Sequence, residues 1–290
     1  MHAELAAIVA PGFFSSSSVR LALVVGALVA TVAGTVGVFT VIRGQSFAGE
    51  ALGDIGASGG SSAYLVGIAP LWGFVGISVA AAAVMELIGI QRARGRDLAT
   101  GIVLGAGFGL AALFLYLGTE SSTTGATVTI LFGSIFALDN SILPLVAGFG
   151  AAAFATILVL YRPLLLVSVS PELAAAQRIP VRTIGALYLL AMALAVALSA
   201  VTIGAILSTA LLVGPAATAL QLTRRPGRAI ISAALVGIAA MWLGILLSYD
   251  SYDWSRNHQH WPVSFFVVTL VLIAYIASRV IPVPARTSRD

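Results

Sequence analysis

Two acids, Glu50 and Asp54, stand four residues apart in the stretch Ser46-Phe47-Ala48-Gly49-Glu50-Ala51-Leu52-Gly53-Asp54-Ile55-Gly56, inside a long apolar region. On a helix that spacing puts both carboxylates on one face, about one turn apart. Insertion scales set an acid at mid-bilayer at roughly +2.5 to +3.5 kcal/mol, so an unpaired pair would cost about 5 to 7 kcal/mol. A chain carries such a pair where it faces protein, water or a cation. The chemistry on offer is transient coordination or attraction of a cation. The alternative is hydrogen bonding to serine or backbone of a neighbouring helix. Gly49, Gly53, Gly56, Gly59 and Gly60 surround the acids at small-residue spacing, which suits close helix packing better than ligand approach.

Three further groups of residues are candidates. Asp250, Asp253, His258 and His260 share a polar stretch that could collect metal at a membrane surface, although a His-x-His pair in a loop has no fixed geometry. Tyr249, Tyr252, Trp254 and Trp261 in the same stretch read as an interfacial aromatic belt. Ser170-Pro171-Glu172-Leu173-Ala174 through Pro180 reads as a short capped helix, with Ser170 as N-cap, Pro171 at the first position and Glu172 complementing the dipole. It is either a handle for a partner or a helix lying on the bilayer. Gly214-Pro215, inside an apolar window, predicts a broken or kinked helix with close neighbours. Glu86, near the end of its window, is expected to reach towards Arg92 or water.

The elements that must position these residues are membrane helices. The chain is 59% hydrophobic and 9% charged, with mean hydropathy +1.05, and no soluble core needs that much apolar sequence. Apolar windows recur at about 19–42, 46–66, 69–90, 98–118, 141–161, 183–200, 202–222, 228–249 and 261–281. Each is long enough to cross roughly 30 Å of hydrocarbon as helix, and none shows the alternation of a barrel strand. The fold class is therefore an all-α, polytopic membrane bundle of about 8–9 spans, a single domain over 1–290. A piece near 125–138 is too short to span and is expected to re-enter or lie at an interface. If it does not cross, thirteen of the fifteen arginines, all but Arg20 and Arg256, fall on one side. The positive-inside rule then sets the N-terminus outside and the C-terminus inside.

Composition also excludes. There is no cysteine, so disulfides and thiolate chemistry are absent. Every basic residue is arginine, so no Walker lysine exists and the chain cannot bind ATP as a P-loop protein. No basic face with interleaved aromatics suggests nucleic acid. No catalytic pairing of an intramembrane hydrolase is present either.

Three segments resemble the permeases of the zinc/manganese/iron ABC transporters, the group served by cluster A-I binding proteins. Phe47 through Asp54 is similar to the family's F-x-G-D-A-L-[SA]-H stretch, and Tyr161-Arg162-Pro163-Leu164-Leu165 through Pro180 to its coupling region. Thr202-Ile203-Gly204-Ala205 through Pro215-Ala216-Ala217-Thr218-Ala219 is similar to its V-G-x-L-L-…-P-A-A-T-A signature, and Leu131-Phe132-Gly133-Ser134 to its L-F-G-[SD] piece. The resemblance implies a non-enzymatic permease of the prokaryotic cell membrane that imports manganese or zinc, with iron a third candidate. It implies a homodimer, a separate cytoplasmic ATPase that holds the ATP, an extracytoplasmic metal-binding protein and no permanently bound cofactor. It further implies that Pro171, Glu172, Leu173, Ala174 and Arg178 couple to the ATPase. An ion-coupled secondary carrier of similar size is the alternative. Three departures stand out: Glu50 where the family commonly has Asp, Asp54 where it has His, and Arg178 where it often has Gly. An oxygen-only pair suits Mn²⁺ better than Zn²⁺.

Overall fold

The computed structural model describes residues 13, 16–89, 93–120, 130–133, 135–254 and 261–280, and the regular elements among them are helical. In chain order they are α1 (Ser17–Ile42), α2 (Ser46–Leu65), α3 (Pro70–Ile88), α4 (Ala93–Glu120), α5 (Leu143–Val159), α6 (Tyr161–Val169), α7 (Pro171–Ala176), α8 (Val181–Ile203), α9 (Ser208–Leu222), α10 (Pro226–Trp254) and α11 (Val263–Val280). Short 3-10 turns at Ile135–Ala137 and Asn140–Ile142 lead into α5.

Helices α1 and α8 form the centre. Their most apolar windows are 72% and 78% buried, against 22–39% for the four other described helices long and apolar enough to cross a membrane. Helix α1 packs on α5, α8, α9 and α10, and α8 also holds α3. Both central helices consist largely of small and aliphatic residues. Several of the hydroxyls they carry are satisfied on their own helix: Thr31 donates to Ala27, Thr35 to Thr31 and Ser199 to Ala195, each to the carbonyl four residues back. A medium without water demands such internal satisfaction. Leu113, Leu235, Trp242 and Ile273 on the outer helices are exposed, as lipid-facing side chains are.

Helix α2 differs from the rest. Its Gly-, Ala- and Ser-rich sequence leaves it outside the six spans found by length and hydropathy. It is held inside the bundle instead, against α3, α4, α8 and α9. A methyl group added to Gly56 would come within 2.6 Å of Ser78 Oγ, and Gly59 meets Gly73 backbone to backbone. That approach lets Ser78 of α3 donate to the Leu52 carbonyl at 3.1 Å. The glycines of α2 serve packing, as their spacing predicts.

The window at 202–222 is not one helix. Helix α8 runs to Ile203, the chain turns through 204–207, and α9 begins at Ser208. Gly204 has φ +91° and ψ 157°, a region essentially confined to glycine. The freed amides of Ala205 and Ile206 donate to the carbonyls of Ile130 and Leu131, at 3.1 and 3.4 Å. In its described part, the piece expected to re-enter or lie at an interface packs against the break, and its backbone seals it. By contrast α9 is continuous through Pro215, so the interruption expected at Gly214-Pro215 lies earlier, at Gly204. One proline within a helix costs the ladder a single donor, whereas Gly204 changes the direction of the chain.

The arginine-rich pieces converge at one end of the bundle. Arg43 at the end of α1 reaches Ser168 on α6, and Glu86 at the end of α3 meets Arg182 Nε at 3.7 Å. Arg92, the partner expected for Glu86, lies outside the described residues. The short capped helix appears as α7: Ser170 Oγ accepts from the Leu173 amide at 3.3 Å and Pro171 opens the helix. Before it stands α6, a helix in what the sequence alone leaves as loop, with Leu164 and Val167 buried. After α7 the chain turns back through Arg178 at φ +59°, the left-handed region that explains a glycine preference there.

Gly204→Ala is expected to destabilise the folded protein by about 2–6 kcal/mol, because strained backbone adds to overlap with Leu131 and Phe132. Denaturant unfolding in detergent measures it. Gly105→Ala, where an added methyl meets open space, is the control expected to show no loss.

Candidate functional site

Helix α2 starts at Ser46, so Glu50 lies about 6 Å and Asp54 about 12 Å along its axis from the arginine-rich end. The four-residue spacing turns both side chains to the same wall of a cavity of about 730 Å³. The other walls come from Phe108 on α4, Ile206 in the break, Val213 and Gly214 on α9, and Val271 and Tyr275 on α11. Gly53, between the two acids, faces the other way, where an added methyl would meet Ser208 Oγ at 2.9 Å. One face of α2 thus holds the helix against the α8–α9 junction while the next presents carboxylates to open space.

The surroundings make these acids unusual. Asp54 is 8% exposed, and its Oδ2 is buried without a hydrogen-bond partner. Among the described residues no arginine forms an ion pair with either acid. The proposed escape through serine or backbone of a neighbouring helix is therefore not taken by Asp54 Oδ2. An unsatisfied carboxylate oxygen on a largely apolar cavity wall is a receptor for a cation or for ordered water.

The other candidates are arranged differently. Asp250 lies buried in the last turns of α10, and Asp253 follows it on the same helix. Nearby, Ser248 donates to the Trp261 carbonyl at 2.6 Å and the Trp261 amide donates to Ser251 Oγ at 2.9 Å, which clasps α10 to the start of α11. His258 and His260 lie outside the described residues. Among the described residues no cluster of three or more His, Asp or Glu forms. On α7, Pro171, Glu172 and Leu173 are exposed and Ala174 is buried, with Arg178 exposed just beyond. Gly214 serves contact, since an added methyl would overlap Val271 of α11, and Pro215 is buried within α9.

Sequence reasoning passed over two features. The Gly133–Gly204 contact joins two segments whose sequences, Leu-Phe-Gly-Ser and Thr-Ile-Gly-Ala, both carry a glycine but say nothing of each other. In the network around Arg43, the partners Ser168 and Tyr188 are remote in the chain and leave no local signal.

Comparison with known proteins agrees with this architecture. The model of the ABC 3 transport family matches residues 15–278. The chain belongs to the ABC 3 transport family. Within that family it is 33% identical over 239 residues to the manganese transport system membrane protein MntC of Halalkalibacterium halodurans, covering 81% of each chain. It is 28% identical over 229 residues to the manganese import system permease protein ScaB of Streptococcus parasanguinis, covering 79% of this chain and 81% of that one. Among solved structures, PsaBC from Streptococcus pneumoniae in complex with Fab superposes with TM-score 0.78 at 26% identity, covering 96% of this chain and 95% of that chain. As an ABC 3 member the chain is a multi-pass membrane permease subunit, a non-catalytic component, rather than a secondary carrier.

Removing the unsatisfied oxygen should stabilise the metal-free protein. Asp54→Ala is expected to raise its stability by about 1–3 kcal/mol, the usual cost of a buried polar atom left unpaired. Thermal unfolding in detergent with chelator present checks this, and a loss of stability would mean the oxygen is satisfied in solution.

Proposed function

We propose that this chain imports a divalent transition metal ion, with manganese the first candidate, through the cavity lined by Glu50 and Asp54. The supporting observation is the acidic pair itself, with Asp54 Oδ2 buried and unpartnered on the cavity wall. A negative pair in apolar surroundings favours a cation over neutral or anionic cargo. The donor set is carboxylate oxygen without imidazole or thiol, which suits Mn²⁺ better than Zn²⁺. Relatives named for manganese transport support the same choice.

Two carboxylates supply at most four oxygens, fewer than the six of an octahedral site. Water, backbone carbonyls or a second permease copy complete the shell, and a homodimer brings a second acidic pair. ATP is bound and hydrolysed on a separate polypeptide. In this reading the arginine-rich end is cytoplasmic and the N-terminus external. The exposed face of α6 and α7, with Val169, Pro171, Glu172, Leu173 and Arg178, receives the ATPase. An extracytoplasmic binding protein delivers the ion at the opposite end, where α10 closes with Asp250 and Asp253. The incoming ion meets Asp54 before Glu50.

Glu50→Ala and Asp54→Ala are each expected to reduce Mn²⁺ uptake to background while the protein still assembles, and full accumulation by both variants refutes the assignment. Asp54→His introduces the imidazole of the family pattern. It is expected to move the competition between Zn²⁺ and Mn²⁺ towards Zn²⁺ by about tenfold, or 1.4 kcal/mol. Uptake of radioactive Mn²⁺ against unlabelled Zn²⁺ reads this shift.

A further inference from the structure

Arg43 stands where α1, α6 and α8 meet. It caps α1, and only Gly44 and Gln45 separate it from the start of α2. Gly44 adopts φ +62°, which makes the joint a tight reversal. Arg43 Nε donates to Gln45 Oε1 and Nη1 donates to Ser168 Oγ on α6, both at 3.4 Å. Its guanidinium carbon lies 4.9 Å from the centre of the Tyr188 ring on α8. The far side of this junction is fixed. Tyr188 is fully buried, and its hydroxyl donates to Thr40 Oγ1 at 2.8 Å, tying α8 to α1. Gln45 is buried as well.

Side-chain chemistry explains why an arginine does this. Its planar fork can donate to two acceptors while its face rests on an aromatic ring; a lysine ammonium can do one or the other. The two bonds are long and therefore weak, so they can be exchanged as helices shift, whereas the Tyr188–Thr40 bond stays short. The second link at this end, Glu86 to Arg182, is a poorer conductor: the arginine is 76% exposed, and such pairs are worth little in water.

Resting on the reading that α6 and α7 receive the ATPase, we propose that Arg43 is the positioning residue that passes their movement to α2, and so to Glu50 and Asp54. A shift of α6 pulls on Ser168, Arg43 turns against the fixed Tyr188 ring, and the Gly44–Gln45 joint re-aims the first turns of α2. Arg43 touches neither ion nor nucleotide. Its loss leaves both ends intact and disconnects them.

The test uses the complete transporter in liposomes, with Mn²⁺ uptake and ATP hydrolysis measured on the same preparation and Mn²⁺ binding measured without nucleotide. Arg43→Met is expected to bind Mn²⁺ and hydrolyse ATP as the parent does, while Mn²⁺ moved per ATP falls about tenfold. Arg43→Lys should recover little of that ratio. Ser168→Ala, which removes only the α6 contact and should fold whatever Arg43→Met does, is expected to lower the ratio about threefold. An unchanged ratio in Ser168→Ala and in whichever Arg43 variant assembles overturns the proposal, as does an equal fall in hydrolysis and uptake. If the parent complex moves no Mn²⁺ with ATP, the transport reading fails and this inference with it. Failure of the variants alone removes only the role of Arg43.

Discussion

The donation of two backbone amides, Ala205 and Ile206, to the carbonyls of Ile130 and Leu131 is the contact on which the cavity depends. Inside a bilayer an unpaired peptide group costs several kcal/mol, so a helix can be interrupted there only where another segment supplies partners. The segment at 130–133 does so, and Gly133 against Gly204 lets two backbones approach within the space of a missing methyl. The interruption moves Ile206 and the start of α9 aside, and the room left between α2, α9 and α11 is the cavity. Without the seal, α8 and α9 would do better as one continuous rod.

Close approach by small residues is the second condition. Helix α2 is too polar to face lipid, and it is kept from doing so by α3 and α4 packed at glycine distance. Van der Waals contact and interhelical hydrogen bonds, rather than a hydrophobic drive, hold such helices together. The Ser78–Leu52 bond is one of these. The result is a helix whose packing face is almost featureless and whose remaining face carries the acids.

Local signals carried much of this into the sequence. Hydropathy windows placed the long helices, and Ser170 before Pro171 announced the cap of α7 because a cap is made by neighbours three residues apart. The spacing of Glu50 and Asp54 gave their common face for the same reason. The break lies elsewhere than the sequence suggests, since a proline is visible in a sequence and carbonyls of Ile130 and Leu131 that accept from the amides of Ala205 and Ile206 are not. Helix α6 falls in the gap between the apolar windows that end at 161 and resume at 183, and its Pro163 is tolerated because it stands in the first turn. The Arg43 junction was invisible because its partners, Ser168 and Tyr188, are remote in the chain.

The size of the cavity bears on how an ion would be handled there. At about 30 Å³ per water molecule, 730 Å³ equals the bulk volume of about two dozen waters, wide enough for a hydrated ion, although the largely apolar lining does not itself hold that water. If import runs through this cavity as proposed, an ion beside Glu50 and Asp54 arrives with much of its hydration shell and exchanges only the waters that the carboxylates replace. Full dehydration, the most expensive step for a small divalent ion, is not imposed by this geometry. A pair of acids, rather than a complete cage, is then sufficient to hold the ion briefly, and holding it briefly is what release on the other side requires.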